Sequence, residues 1–490
     1  MSQKNNAFSC LAVDMGAGSI RIMRGVIDNQ EIKYSEVYRF NNTIKEIDGH
    51  DRWDIQEIID GIVTGINRAI TEYKVKPDSI GVDSWGVDFV LLDDNGEPLD
   101  TPVSYRDSRT EGMMEQWKEN LSAIDTFKKT GINFYVFNTL FQLLSLKGSA
   151  LIKKTRKILF IPSYVSYRLT GNAKNEQTIA STSQILSIDG INWDLDILNK
   201  LDIDEKILGS VVPSATKLGT LNSKEITDKS IEVIAVSQHD TACAIAAIPS
   251  TGSNFAFIST GTWCILGHEA SEANISSRAL EMGFTNERSY NNTFRTLKNI
   301  VGLWLIQGLK KDYPEDTTFN DLERIVNESE PTHQFIDTDD PVFFNPENMK
   351  AAFDGFFNKT GQAIPEQQSD YLRIAYDSLC FAFRYNLEYL EENRDKTFER
   401  IHVIGGGCQS DFFNQRISTI CKKEVIAGPV EGSVMGNIMI QAIAQGRLNS
   451  LDEGRKLLRN SIEVKKYAPA NGVTEYESVY KDYLNYKDAQ

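Results

Sequence analysis

Hydrophobic residues in this chain fall into two patterns. Some form short runs that stop at glycine or a small polar residue, and others recur every three or four positions, as in strands alternating with helices. Phe8 to Val13 predicts a buried strand that runs into Asp14-Met15-Gly16-Ala17-Gly18-Ser19-Ile20-Arg21. Ile20, Ile22 and Val26 then alternate with polar positions up to a turn at Asp28-Asn29, and Ile32, Tyr34 and Val37 predict a returning strand. Halfway along the chain the design repeats: Phe255 to Ser259 leads into Thr260-Gly261-Thr262, and Trp263, Ile265 and Leu266 carry a second strand onward. Between these hairpins, Ile80 to Leu92 is a buried-type strand interrupted by Ser84-Trp85-Gly86. Ile231 to Val236 is another strand; it delivers His239 and Asp240 to the start of a helix of small residues, Ala242, Ala244 and Ala246.

Helical spacing marks Trp117 to Thr130, Leu140 to Ser149 with Asn138 as its cap, and Pro162 to Leu169 closed by Thr170-Gly171. Asp189 to Trp193 and Val211 to Gly219 read as exposed loops. In the second half, Leu297 to Leu309 has apolar residues at helical intervals, and Asp312 to Asn358 is acidic and irregular or short-helical. Asp370 to Asn393 is the longest helical pattern, with Leu372, Ala375, Leu379, Phe383 and Leu387 on one face. Arg400 to Ile404 is a strand feeding Gly405-Gly406-Gly407 and a helix from Ser410. Glu424 to Ile426 leads through Ala427-Gly428-Pro429 to a small-residue helix over Gly432 to Gln445. The most linker-like stretch is Pro249 to Asn254, which predicts domains over 1–248 and 249–490. A chain of 490 residues exceeds what one core holds, so an α/β protein of two large lobes is expected.

Composition narrows the function. Lys and Arg total 52 against 68 Asp and Glu, a formal charge of -16, which argues against a nucleic-acid or membrane-surface footprint. No apolar stretch has the length of a membrane span, and Asp14 interrupts the apolar run near the amino terminus, so a cytoplasmic protein is expected. The six cysteines are scattered without a C-x-x-C pair and read as reduced core residues; the five histidines show no metal-ligand spacing.

The first hairpin is not a dinucleotide fingerprint: G-x-G-x-x-G would need glycine where Arg21 stands, with a helix following. No G-x-x-x-x-G-K-[ST] loop exists either. Its glycines can still turn backbone N–H groups onto a phosphate, with Ser19 and Arg21 as further donors and Asp14 to hold a hydrated Mg²⁺. The plain alternative is an ordinary glycine-rich hairpin. Asp240 is either a reactive carboxylate on a strand-to-helix corner or a helix cap. Gly86 permits close approach of a ligand, and Trp85 is either a wall for a sugar ring or a core residue. Gly405 to Gly407 leaves room for a base or phosphate, and in isolation marks only a turn.

Taken together and in order, Asp14 to Arg21, Ser84-Trp-Gly-Val-Asp-Phe, Tyr105-Arg-Asp-Ser-Arg-Thr, Ser237-Gln-His-Asp-Thr-Ala, Ser259 to Thr262, Leu297-Lys-Asn-Ile, Gly302-Leu-Trp-Leu, Gly405-Gly-Gly-Cys-Gln and Ala427-Gly-Pro-Val-Glu resemble the FGGY carbohydrate kinases, relatives of hexokinase in the actin-like ATPase superfamily. The resemblance spans nearly the whole chain. It implies two ribonuclease H-like (actin/hexokinase-like ATPase) lobes with an active-site cleft between them, residues 1–248 binding sugar and 249–490 binding nucleotide. It implies ATP-dependent phosphorylation, with Mg²⁺, of the C1 hydroxyl of L-rhamnulose, and Asp240 as the general base. Gly86, His239, Thr241 and Asn299 would contact the sugar. Ala17, Gly18, Ser19, Ile20, Arg21, Thr262, Gln307 and Gly406 would hold ATP, and Asp14 the metal. Small-molecule sugar and ATP are thus the expected partners, with no nucleic acid or membrane, in a monomer or homodimer. The sequence departs from the pattern at Ile20, where glycine is usual; a modest local change is expected there. Two other readings share these residues: a kinase for L-fuculose or xylulose, and an actin-like nucleotide switch without small-molecule turnover.

Overall fold

A computed structural model describes residues 7–28, 31–226, 228–329, 332–394, 396–470 and 474–487. The chain forms two compact units. The first takes the described residues up to Pro249, together with Glu269–Thr296 and Glu431–Ser461; the second takes Ser250–His268, Leu297–Val430 and the residues from Ile462 onward. The units therefore do not coincide with a single cut near residue 249, because two later segments return to the first unit.

The first unit is built on a six-stranded sheet of β1 (Phe8–Met15), β2 (Ser19–Ile27), β3 (Ile32–Asn41), β4 (Ser79–Ser84), β5 (Thr216–Thr220) and β6 (Glu232–Ala235), in the order β5-β6-β4-β1-β2-β3. β1, β2 and β3 are antiparallel neighbours, whereas β4 is parallel to β1 and β6 is parallel to β4. Seven of the eight β1 residues are buried, as a central strand covered on both faces requires. The turn expected at Asp28-Asn29 reaches Asn29, which lies outside the described residues.

The second unit repeats the plan with β7 (Phe255–Thr260), β8 (Trp263–Ala270, of which it takes the residues up to His268), β9 (Phe294–Val301, from Leu297 on), β10 (Arg400–Gly405), β11 (Glu424–Ala427) and β12 (Lys465–Tyr467). β7 and β8 form the antiparallel hairpin, β10 is parallel to β7, and β11 is parallel to β10. Five helices recur below: α1 (Ile55–Thr71), α2 (Asp240–Ala246), α3 (Trp304–Lys310), α4 (Gln368–Glu392) and α5 (Gly432–Ala444). α1 starts where the Asp54 carboxylate accepts from Glu57 N, and it buries Ile55, Ile58, Ile59, Ile62, Val63, Ile66 and Ala69, an unbroken helical stripe. No expectation above covers it.

Four expectations change. Trp117 to Thr130 is two helices, Met113–Lys118 and Ala123–Thr130, because Ser122 accepts from Asp125 N and starts a new one. Asn138 stands at the cap position of Thr139–Ser145 but donates to Asn133 O and Gln184 Oε1 instead. Val211 to Gly219 is no loop: it holds Val211–Val212 and most of β5, and β5 is an edge strand whose polar residues disguise it. Leu297 to Leu309 is the end of β9 followed by α3; β9 is buried on both faces and so lacks the alternation that marks a strand. All six cysteines are unpaired and buried. Among the described residues no helix is long and apolar enough to cross a membrane.

α5 crosses α2 at Gly436, where an added β-carbon would collide with the Cys243 carbonyl. Gly436→Ala is therefore expected to destabilise the first unit by about 1–3 kcal/mol, as overpacking does. Gly355→Ala, in a helix position where an added β-carbon meets nothing within 4 Å, is the control and should melt at or slightly above wild type. Parallel thermal melts of the two variants check this.

Candidate active site

Parallel strands bring their carboxyl ends to one edge of a sheet, the usual place for ligands in α/β folds. In the first unit Asp14 of β1 stands in register with Asp83 of β4, and Ser84 forms an isolated bridge with His239 beyond the end of β6. Asp14, Asp83, His239 and Asp240 are thus neighbours by topology, although they are far apart in sequence.

Asp14 is also the cross-strand partner of Arg21, which bonds its Oδ2 through Nε at 2.9 Å and through a short Nη2 contact. Arg21 pairs with Glu431 at 2.8 Å as well, and Ser433 Oγ donates to Asp14 Oδ1 at 2.9 Å. The structure therefore joins the expected metal ligand and the expected phosphate donor to each other. Residues 16–18 form the turn: Gly16 N donates to Ser19 O, Asn42 N to Gly18 O and Asn42 Nδ2 to Gly16 O. Ala17 and Ser19 are half-buried and Gly18 is exposed. Ile20 points into the hydrophobic core with 0 % exposure, so its side chain leaves the turn's backbone uncovered.

Asp83 is fully buried. Burial first, and Asp14 next, push its carboxyl well above the usual range, while Asn437 Nδ2, donating to Oδ2 at 2.5 Å, pulls the other way.

Asp240 is the first residue of α2, and no side chain caps that helix. The cap reading is thereby set aside: Asp240 Oδ1 accepts from Thr241 N at 2.5 Å and Thr241 Oγ1 at 3.1 Å, leaving Oδ2 without a hydrogen-bond partner among the described residues. Its side chain keeps 32 % of its surface. Burial raises its carboxyl, with Asp14 adding and His239 opposing. His239 places Nε2 3.5 Å from Asp240 Oδ1 and Nδ1 3.1 Å from Glu287 Oε2. The segment leading to it is braced by Glu176, whose Oε2 accepts from Gln238 N and Thr178 Oγ1; Thr178 Oγ1 in turn accepts from His239 N.

Gly86 packs against Thr182, and the next residue, Val87, has φ 68°, a conformation that costs a β-branched residue energy and is kept here by Thr182 Oγ1 on its N–H and Thr139 Oγ1 on its carbonyl. Trp85 is a core residue: its ring lies 4.5 Å from that of Trp53, it is 7 % exposed, and its Nε1 donates to Asp88 Oδ2. The sugar-wall reading of Trp85 does not survive.

Thr262, Asn299, Gln307 and Gly406 lie in the second unit. Thr262 is exposed in the β7–β8 turn, where its carbonyl accepts from Gly302 N and Trp304 N at 3.2 Å each. This ties the turn to α3, which carries half-buried Gln307. Gly405, at φ 79°, and Gly407 have no room for side chains against Thr260, whereas Gly406 faces open space. Asn299 is half-buried on β9. The fourteen expected positions thus fall into two groups, ten in the first unit and these four in the second. Asp83, Glu287, Arg295, Glu431, Ser433 and Asn437 join the first group; Glu431 ends the Ala427-Gly-Pro-Val-Glu motif, though no role was expected of it, and no local motif announces the other five.

Among the described residues no cluster of three or more His, Cys, Asp or Glu side chains is placed to cage a metal. The residues nevertheless fit a hydrated Mg²⁺, which binds through one or two carboxylates and the phosphates of a substrate. Asp14 is an all-oxygen donor, and Asp83 beside it keeps a buried Oδ1 with no partner. The open space at Gly406, flanked by two glycines held against backbone and Thr260, fits a nucleotide in the same way.

The chain is a two-unit α/β protein with carboxylates gathered at the carboxyl edge of one sheet. Solved structures share the architecture over essentially their whole lengths. Plasmodium falciparum glycerol kinase with ADP superposes with a TM-score of 0.83 at 18% identity, covering 100% of both chains. A xylulose kinase from Lactobacillus acidophilus gives 0.83 at 16%, covering 98% of each. The models of the N-terminal and C-terminal domains of the FGGY family of carbohydrate kinases match residues 9–246 and 256–445, and the chain belongs to that family. Among its relatives are the rhamnulokinases of Bacillus subtilis, 37% identical over 94% of this chain and 95% of that one, and of Lactiplantibacillus plantarum, 36% identical over 98% of each.

Asp88 holds this region from beneath. Its Oδ2 accepts from Trp53 Nε1 at 2.7 Å, Trp85 Nε1 at 3.0 Å and Tyr105 N at 3.2 Å, and its Oδ1 from Gln142 Nε2 at 3.1 Å. Burial pushes its carboxyl up to about 6 despite these donors. A carboxyl raised on folding contributes stability that is fully present below its unfolded value near 3.8 and is lost as pH rises through about 6. Asp88→Asn should therefore gain on wild type by on the order of 3 kcal/mol between pH 4 and pH 7, on top of a pH-independent offset. Melting curves of both proteins across that range check the sign.

Proposed function

We propose that this carbohydrate kinase transfers the γ-phosphoryl group of ATP to the C1 hydroxyl of L-rhamnulose, giving L-rhamnulose 1-phosphate and ADP. The observation that carries the chemistry is Asp240, with one oxygen fixed by Thr241 and the other open, at the carboxyl edge of the sheet beside Asp14. The ketose comes from the family and from the names of the relatives, which cover 94–98% of the chain.

In this reading Asp240 takes the proton of the attacking hydroxyl onto Oδ2. An ordinary aspartate is ionised at neutral pH, and burial makes this one a stronger base. His239, Thr241, Gly86 and Asn299 orient the ketose. Ser19, Arg21 and the N–H groups of residues 17–21 meet the phosphates, and Thr262, Gln307 and Gly406 hold the nucleotide. The sugar group falls within residues 1–248 except for Asn299, and the nucleotide group within 249–490 except for the phosphate turn. Mg²⁺ bound through Asp14 supplies charge neutralisation to the phosphates. Alignment and charge, more than covalent chemistry by the protein, are what phosphoryl transfer requires. We place the enzyme in the cytoplasm.

Asp240→Asn should bind ATP and ketose nearly normally and lose about 10² to 10⁴ in kcat, as expected for a positioned acid-base group; calorimetry with turnover assays checks both halves. Asp14→Ala should lose turnover at every Mg²⁺ concentration, whereas Thr262→Ala should mainly raise KM for ATP. The substrate is tested by kcat/KM over L-rhamnulose, L-fuculose, L-xylulose and glycerol, with NMR of the product. L-rhamnulose should lead, with phosphate on C1. A tenfold preference for another ketose, about 1.4 kcal/mol in the transition state, would move the chain to another substrate within the family.

A further inference from the structure

Glu287 and Arg295 belong to no sequence motif read above, yet they stand directly behind the histidine next to the catalytic carboxylate. Glu287 lies on the strand Thr285–Arg288 and Arg295 on β9. Arg295 has 0 % exposure; its Nη2 donates to Glu287 Oε2 at 2.6 Å, and its Nε and Nη1 are buried with no acceptor among the described residues. One carboxylate therefore balances this buried guanidinium, and such pairs are held because breaking them is expensive. His239 Nδ1 lies 3.1 Å from the same Glu287 Oε2 and 3.1 Å from Arg295 Nη2.

Hydrogen-bond chemistry decides between these two neighbours. An ionised carboxylate only accepts and a guanidinium only donates, so Nδ1 either carries a proton for Glu287 or offers a lone pair to Arg295. Arg295 Nη2 has two hydrogens and gives one to Glu287 at 2.6 Å, so geometry alone leaves both tautomers open; we take the one in which Nδ1–H meets the ionised Glu287, a charged acceptor. Burial alone would raise the Glu287 carboxyl, but His239 and Arg295 hold it down at about 2, so it is an acceptor at any working pH. A proton on Nδ1 confines any change in ring protonation to Nε2, the nitrogen that faces Asp240. In the neutral ring Nε2 is then a lone pair 3.5 Å from Asp240 Oδ1, two acceptors that no hydrogen bond joins. Two neighbouring hydroxyls of a polyol satisfy the pair, one donated to each acceptor.

We infer that Glu287, braced by Arg295, is a positioning residue for the ketose site: it keeps a proton on His239 Nδ1 and so presents Nε2 as an acceptor for a substrate hydroxyl next to the one that Asp240 deprotonates. This rests on the ketose-kinase reading above. A site built to accept a given hydroxyl rejects analogues that place it wrongly, so the pair acts on selectivity and ketose KM more than on ATP.

The experiment uses the full chain with ¹⁵N-labelled histidine at pH 8, assigning His239 by its absence in His239→Gln. Wild type should show Nδ1 protonated and Nε2 not; the reverse tautomer overturns the proposal. Glu287→Gln should weaken the Nδ1–H signature and raise KM for L-rhamnulose tenfold or more, with KM for ATP unchanged and a smaller change in kcat. Glu287→Asp, which restores the charge, should recover part of the loss. A variant that keeps the tautomer and wild-type ketose KM while only its melting temperature falls makes the pair purely structural and overturns the assignment. If wild type phosphorylates no ketose, the functional reading fails, while the tautomer measurement still decides what Glu287 does to His239.

Discussion

At Gly436 an added β-carbon would collide with the Cys243 carbonyl, and the geometry of the site depends on this contact. Only glycine lets α5 come that near α2, and a second glycine, Gly432, packs on Ala244 one turn earlier. Held there, α5 delivers Ser433 to Asp14 and Asn437 to Asp83 at one end, and Gln441 to Ser79 and the Leu11 carbonyl further along. A polar helix face laid on parallel strands is costly unless each group is bonded. Here the bonds run to strand carbonyls and carboxylates, so the helix fixes the site instead of merely covering the sheet.

The same contacts explain how Asp14, Asp83, Asp240 and Glu431 tolerate one another. Arg21 bridges Asp14 and Glu431, and Asn437 Nδ2 donates to the buried Asp83. What remains is an oxygen-lined edge with more carboxylates than cations. Asp83 stands beside Asp14 in register, whereas Asp240 keeps one oxygen without a hydrogen-bond partner among the described residues.

Much of this was legible in the sequence. The paired hairpins, the corner at Asp240 and the triple glycine were visible because each depends on residues adjacent in the chain. The interrupted strand at Ser84 to Gly86 was legible too, but the role of Trp85 was not: whether an indole faces solvent or Trp53 is decided by Asp88 and by a hairpin more than thirty residues upstream. Glu287, Arg295 and Asn437 were invisible for the same reason, since they come from two segments that leave the second half of the chain to join the first unit. β9 misled because burial of both faces erased its period, and β5 because an edge strand carries polar residues.

The two hairpins show how one frame takes on two chemistries. Asp14 pairs with Arg21 across its hairpin and with Asp83 on the parallel strand; at the corresponding positions of the second unit, Thr260 pairs with Cys264 and with Gly405. The topology is shared, and the side chains at the strand ends differ. In the first unit they are charged. In the second they are a hydroxyl and glycines: Thr260 Oγ1 accepts from Gly407 N and donates to Ile404 O, pinning the turn and leaving Gly406 bare. A carboxylate at Thr260 would lack the donated bond to Ile404 and would set a negative charge beside the space that fits a phosphorylated ligand. The neutral hydroxyl follows from what that unit has to hold.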